Sequence, residues 1–529
     1  METEILSTKG LTAISGYDSI LPIEDAQELL KQLKSLYQDV IERGDAIFNN
    51  WASSIEHTDF QPSARNLAYY LALREHDLRP IQSALIPWGL SSLGRSESRV
   101  LPNLEAVIAT LEIICEGSKR ATMHPPLSAF FQGEHLLSEN VSRLFGEQRS
   151  DRRIRILVTM PPEAAEDYEL IRDLLAKGMD AIRINCAHDS VDAWKAMIAN
   201  LRRAEQEVGH TCKILMDLAG PKIRTGKIIT PLPDARLYPG EKLLLTKAKK
   251  PTPNPEYRFQ ASCSAPEILS QVAVGAIVWI DDGKLSARID RIFPDAIELV
   301  VLNAGPKGMK LKADKGINFP KTTLTISPLS EKDYRDLDFV AEAADLIGYS
   351  FVQEVGDMVL LQDALRARIG DRANEKAIVA KIETERGVRN LPSLIVAAAG
   401  KQPFGVMIAR GDLAVEIGYE RLAEIQEEIL WLSEAAHVPV VWATQVLETL
   451  VMTGTPTRAE MTDAAMSERA ECVMLNKGPF IRQAVTILDH VLTRMQAHQL
   501  KKTPQLRALK VWQDIGKIPT VISSDTVEG

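Results

Sequence analysis

The chain has 529 residues, 45% hydrophobic and 25% charged, with a formal net charge of -9 and a pI near 5.7. That length exceeds one ordinary core and predicts two to four domains at roughly 150 residues each. The composition excludes wholesale disorder, and the acidic balance argues against a nucleic-acid partner. The N-terminus lacks a basic stretch followed by an apolar core, and no run reaches about 18 apolar residues, so the chain reads as cytoplasmic with no membrane partner.

Residues 1–150 predict an N-terminal helical region. LPIEDAQELLKQLKSLYQDVIERGDAIF has apolar residues at three- and four-residue spacing, with Pro22 suited to a first turn, and LPNLEAVIATLEIICEG repeats the pattern. Between them RPIQSALIPWGLSSLGRSESRV, rich in Pro, Gly and Ser, reads as a packed loop. After EQRSDRRIR the rhythm changes. ILVTM, AIRIN, KILMDL, LIGYSFV, IVAKIE, GVMIAR, VPVVWATQ and CVMLN are short apolar runs, and all but the third lead directly into a helical pattern. Such βα repetition predicts parallel pairing and a closed (β/α)8 TIM barrel over residues 151–226 and 319–505. The excursion at residues 227–318 carries short strands separated by PG, DDG and AGP turns, and predicts an inserted small β-barrel-like domain placed as a lid. Residues 506–529 read as a C-terminal tail.

Charges at a barrel rim must be paired, metal-bound or turned to substrate, so the strand ends name the candidates. The second run ends in Arg183, Asn185 and His188, and the third in Asp217, followed by Lys222 and Arg224. The fifth ends in Lys381 and Glu383, the sixth in Arg410, Gly411 and Asp412, and the seventh in Thr444 and Gln445. Lys381 and Glu383 are two apart on extended backbone and share a face. Glu383 and Asp412, on neighbouring strands, can offer a hard cation two carboxylate oxygens and leave its other positions to water and substrate. Arg183, Arg224 and Lys381 match an anionic substrate. Other readings stand beside these: Asp412 as an N-cap or turn residue, His188 as a polar loop residue orienting its neighbours, Asp281 and Asp282 as turn residues, and Cys186 and Cys472 as small core residues. The five cysteines are odd in number and form no C-x-x-C pair, which points to neither a disulfide framework nor a four-thiolate zinc site.

AIRINCAH (181–188), LMDLAGPKIRTG (215–226), DDGKL (281–285), KGINFP (315–320), LSEKD (329–333), AKIETERGVRN (380–390), GVMIARGDLAVEIG (405–418) and WATQVLETLVMTGTPTRAE (442–460) occur in an order that resembles the pyruvate kinase family. The resemblance implies phosphoryl transfer from phosphoenolpyruvate to ADP, giving pyruvate and ATP, with Mg2+ or Mn2+ as cofactor. It implies that Glu383 and Asp412 hold the metal, with Gly411 beside them at the substrate, and that Lys381 stabilises the moving phosphoryl group. Arg183, with Asn185 and Asp217, then serves the phosphate side, His188, Lys222 and Arg224 lie toward the nucleotide, and Thr444 lies where the enolate is protonated. A homo-oligomer is expected by the same analogy.

Departures from the family pattern qualify this. Cys186-Ala187 replaces Phe-Ser, and Lys222 stands where many potassium-dependent members carry Glu, so K+ is expected not to be required. Asp217-Leu218-Ala219 stands where a Thr-Lys pair is common. Asn476-Lys477-Gly478-Pro479-Phe480 replaces Ser-Gly-Glu-Thr-Ala and removes the Ser and Glu of a proton relay. The family's C-terminal allosteric domain is expected to be missing, and the N-terminal region can cover the barrel base, mediate assembly or carry a control site. Two other functions stay open: aldolase or lyase chemistry through pyruvate enolate, which needs only Glu383, Asp412 and a base, and a non-catalytic scaffold.

Overall fold

The computed structural model describes residues 25–117, 122–149 and 152–505. Pro22, part of EQRSDRRIR and the tail from 506 lie outside the described residues. The first element, α1 (Ala26–Ala52), begins at Asp25, whose side chain accepts from the Gln27 amide at 2.9 Å and so satisfies one unpaired donor of the first turn. Its buried Leu29, Leu33, Leu36 and Val40 follow helical spacing and pack with α2 (Gln61–Arg74) and α4 (Val100–Glu116). The segment expected as a packed loop instead contains the helix α3 (Arg79–Leu85), with Pro80 in its first turn, where a missing N–H costs no hydrogen bond.

Eight strands form the barrel: β1 (Arg155–Thr159), β2 (Ala181–Asn185) and β3 (Lys213–Asp217), then, after the insertion, Leu346–Tyr349, Ala377–Ile382, Phe404–Ala409, Val440–Ala443 and Cys472–Leu475. They pair in parallel and in chain order, and the last closes on β1. Every residue of Phe404–Ala409, Val440–Ala443 and Cys472–Leu475 is buried, because helices cover the outer face and side chains fill the inner one. The inner layer, with Leu157, Leu215, Val379, Met407, Val441 and Met474, continues into Leu137, Val141, Leu144 and Phe145 of α5 (Leu127–Phe145). The N-terminal region therefore covers the barrel base, with α5 as the plug. Cys186 and Cys472 are core residues.

The insertion numbers its strands β4 (Thr225–Ile229), β5 (Lys242–Thr246), β6 (Phe259–Cys263), β7 (Ile277–Ile280), β8 (Leu285–Phe293), β9 (Ala296–Asn303) and β10 (Ile317–Asn318). They form one curled sheet, a half-barrel with its own apolar core, and a bridge from Arg224 to Gly316 joins its two edges, as the barrel-like expectation requires. Beyond the last barrel strand a helix, Ile481–Met495, leads to a short hairpin whose Lys501 and Lys502 pair with Glu471 at the barrel base and Glu97 of the N-terminal region. Among the described residues no helix is long and apolar enough to cross a membrane.

His437 fastens the N-terminal region to the barrel. Its Nε2 lies 3.2 Å from the Ser98 carbonyl, which can only accept, so Nε2 carries the proton and Nδ1 accepts from the Ser63 hydroxyl at 2.8 Å. Asn140 of α5 donates to the His437 carbonyl at 2.8 Å. Gly133 of α5 lies so close that a Cβ there would sit 2.0 Å from the Ser98 oxygen. Burial lowers the imidazole to about 4 from 6.5, against the Ser98 bond, which favours the protonated form. The unfolded chain thus takes up a proton that the folded chain refuses, and this contribution to stability is lost as pH falls from about 6.5 to 4. Burial raises Glu434 and Glu468 to about 7, and they act in the opposite sense. The expectation is therefore a difference: relative to wild type, His437→Gln gains stability as pH drops through that window, checked by urea midpoints at several pH values.

Candidate active site

The C-terminal ends of the barrel strands converge on a cavity of about 180 Å3. Asp217 ends β3 at 1% exposure. A carboxylate so placed needs cations, and two reach it. Arg183 of β2 donates through Nε at 3.0 Å and also through Nη2, while Lys381 Nζ lies 3.5 Å away. Arg183 Nη1 also donates to the Thr159 hydroxyl at 3.3 Å. Burial opposes ionisation of Asp217, but Lys381 and Arg183 outweigh it and hold the carboxyl below its ordinary value. Burial likewise opposes the charge on Lys381, and Asp217 with Glu383 keeps the ammonium above its ordinary value.

Lys381 and Glu383 do share a face, with Nζ 3.2 Å from Oε1. The ammonium also donates to Ser350 Oγ at 2.7 Å, and that hydroxyl in turn donates to the Leu218 carbonyl at 2.8 Å. Glu383 Oε2 accepts from the Phe351 amide at 2.6 Å. Burial raises Glu383, Lys381 counters it, and the nearby Asp412 charge raises it further. Asp412 lies past the end of its strand, which stops at Ala409: Arg410, Gly411 and Asp412 form the first turn of a helix, Arg410–Ile417, so these residues are helical where a strand end was expected. Both Asp412 oxygens accept from Lys222 Nζ, at 2.9 and 3.0 Å.

Arg410 turns away from the cavity. It donates to the Ala443 carbonyl at 3.0 Å, the Thr444 carbonyl at 2.6 Å and Asp463 Oδ2 at 2.9 Å. These bonds hold Thr444 and Gln445 at φ 64° and 60°, which costs a β-branched residue conformational energy. The Thr444 hydroxyl is pinned by the Gly411 amide at 2.9 Å and lines the cavity.

Asn185, Lys222 and Arg224 also line the cavity, so most of the expected residues meet there. Asn185 is occupied locally, accepting from the Ala187 amide at 3.0 Å. Arg224 donates to the Asp314 carbonyl at 3.1 Å. His188, Gly411 and Gln445 do not line the cavity: Gly411 reaches it only through its bond to Thr444, and His188 is exposed on the loop after β2 and accepts from Trp194 through its carbonyl. Asp281 is paired with Lys284 and Lys315. Ser350 was not anticipated; its one signal is a hydroxyl interrupting the apolar run LIGYSFV. A wider cleft of about 710 Å3 adjoins the cavity through Lys222 and Phe351.

Among the described residues no group of three or more His, Cys, Asp or Glu side chains gathers as a metal site. Glu383 and Asp412 remain the fitting pair. Mg2+ is commonly held by one or two carboxylates with water and substrate oxygens completing its octahedron, and two carboxylates close enough for one to raise the other's pKa suit a shared cation.

The description "Pyruvate kinase, barrel domain" matches residues 151–482. The chain belongs to the pyruvate kinase family. Pyruvate kinase of Agrobacterium vitis is 34% identical over 369 residues, covering 66% of this chain and 71% of that one. Pyruvate kinase PKLR of Homo sapiens is 31% identical over 380 residues, covering 68% of this chain and 62% of that one. In structure, the chain resembles a pyruvate kinase from Cryptosporidium parvum with a TM-score of 0.58 and 29% identity, over 67% of this chain and 72% of the other. The defining reaction of pyruvate kinases is phosphoryl transfer from phosphoenolpyruvate to ADP. Helices α1 to α5 lie outside the matched stretch.

Arg410→Met removes the brace of the Thr444 turn and leaves Asp463 without its cation. The expected cost is roughly 3 kcal/mol, read as a lowered midpoint of urea unfolding; an unchanged midpoint contradicts the bracing role.

Proposed function

We propose that this chain transfers the phosphoryl group of phosphoenolpyruvate to ADP with Mg2+ or Mn2+, and does so without potassium. The observation that carries the reading is the convergence of Arg183 and Lys381 on one cavity that also holds Glu383 and Asp412. A phosphoryl group in flight spreads negative charge over its oxygens, and fixed cations in a dry cavity stabilise that charge without reorganising. Lys381 is such a cation, oriented by Ser350, Asp217 and Glu383. Arg183, locked by Asp217 and Thr159, presents a fixed fork to the phosphate side. Glu383 and Asp412 would hold the metal, which when bound neutralises charge on phosphate and carboxylate oxygens.

Release of the phosphoryl group leaves an enolate that must be protonated on carbon. We assign this to Thr444, whose hydroxyl is held by the Gly411 amide and which lines the cavity, with Asn476 lining it where the family carries Ser. Potassium independence is supported by Lys222, whose ammonium supplies a monovalent positive charge inside the cavity.

The test is an assay with phosphoenolpyruvate, ADP and Mg2+ in potassium-free buffer. Equal amounts of ATP and pyruvate are expected, with turnover unchanged when potassium is added. A strict potassium requirement refutes that part, and pyruvate formed with inorganic phosphate in place of ATP shows transfer to water and refutes transfer to ADP. Lys381→Ala is expected to lower turnover by about 10²–10³, the loss typical of one preorganised electrostatic donor. Full activity in that variant ends the assignment.

A further inference from the structure

The carboxylate that the proposed reaction needs for its metal is already taken. Lys222 Nζ lies 2.9 and 3.0 Å from the two oxygens of Asp412, and the pair is mostly buried, with side-chain exposures of 22% and 16%. A cation reaching Asp412 must first move that ammonium. Lys222 sits on the link between β3 and the inserted sheet, two residues past Gly220, which turns the chain at φ 67°. Its stem runs over Gly316 of the insert: a Cβ on Gly316 would lie 3.0 Å from Lys222 Cε, 3.7 Å from its Nζ and 4.0 Å from Asp282 Oδ1. The ammonium and the Asp282 carboxylate thus flank the same glycine.

The acids beside this glycine in the chain and in the facing turn differ from Asp282. Asp281 is held by Lys284 at 3.2 Å and Lys315 at 3.0 Å, and Asp314 is 3.6 Å from Arg224. Asp282, exposed at the tip of the β7–β8 turn, has no hydrogen bond or ion pair among the described residues. Displaced from Asp412, Lys222 has an unneutralised carboxylate next along its path, and that carboxylate belongs to the insert.

We propose that Lys222 competes with the metal for Asp412 and, once displaced, pairs with Asp282 of the inserted sheet. This rests on the reading of Glu383 and Asp412 as metal ligands. It gives Lys222 a positioning role coupling the metal to the insert, beyond supplying a charge in place of potassium.

The test is binding of Mn2+ alone, followed by electron paramagnetic resonance of the free ion with no substrate present. Lys222→Met is expected to bind Mn2+ roughly tenfold more tightly, the equivalent of about 1.4 kcal/mol and in keeping with the net worth of a charge-assisted hydrogen bond. Lys222→Arg restores the competing cation and should return affinity toward wild type. Asp282→Asn, an exposed change, should weaken Mn2+ binding in the presence of Lys222 and have no effect in Lys222→Met, since coupled residues fail additivity. Unchanged or weaker binding in Lys222→Met overturns the competition, and an Asp282→Asn effect of equal size in both backgrounds overturns the transfer. Asp412→Asn separates the two levels: if it leaves Mn2+ binding intact, the metal assignment itself fails, whereas if it abolishes binding while Lys222→Met changes nothing, only the present inference falls.

Discussion

The buried carboxylate of Asp217 organises the rim. At the end of β3, with 1% of its surface exposed, it cannot stay ionised without positive neighbours, and it draws Arg183 and Lys381 onto the same side of the cavity. Lys381 in turn faces Glu383, and Glu383 faces the field of Asp412. Arg183, Asp217, Lys381 and Glu383 alternate in sign and make one another tolerable, while Asp412, whose charge disfavours that of Glu383, is neutralised by Lys222. A closed parallel barrel makes this possible by bringing the ends of strands distant in sequence to one ring.

The two ends of the barrel divide their work. The mouth gathers charged side chains around the cavity, while the base is sealed by apolar side chains of α5 and by bonds to His437. The helices that make this seal lie outside the stretch that matches the family, yet they pack on the barrel's own core. The hairpin at the far end of the described chain ties the same two parts together through Lys501 and Lys502. The flanking regions are therefore structural partners of the barrel, whatever else they do.

Much of this was legible in the residues. The eight barrel strands read as apolar runs because both their faces are buried, and the parity of Lys381 and Glu383 on an extended segment put them side by side, as their 3.2 Å separation bears out. Three strands of the insert were not visible: β4, β6 and β10, the last only two residues long. β4 and β6 approach so closely that a Cβ on Gly226 would sit 2.3 Å from Ser262 Oγ, and the small and polar residues this demands hide the strand pattern. The helix α3 was hidden by Pro, Gly and Ser that the structure uses in a first turn and a stop. The pairing of Lys222 with Asp412 joins positions 190 residues apart and leaves no local trace. His188 is the converse case: its place after a strand end suggested the site, and it lies exposed outside the cavity lining.

The central claim is that Glu383 and Asp412 form one cation site at the rim of the barrel. Anomalous diffraction from a crystal soaked in Mn2+ tests it most directly. The account predicts a single strong peak between the Glu383 and Asp412 carboxylates, with the Lys222 ammonium turned away from Asp412. A Mn2+ peak elsewhere, with Lys222 still on Asp412 and Lys381 still on Glu383, contradicts it.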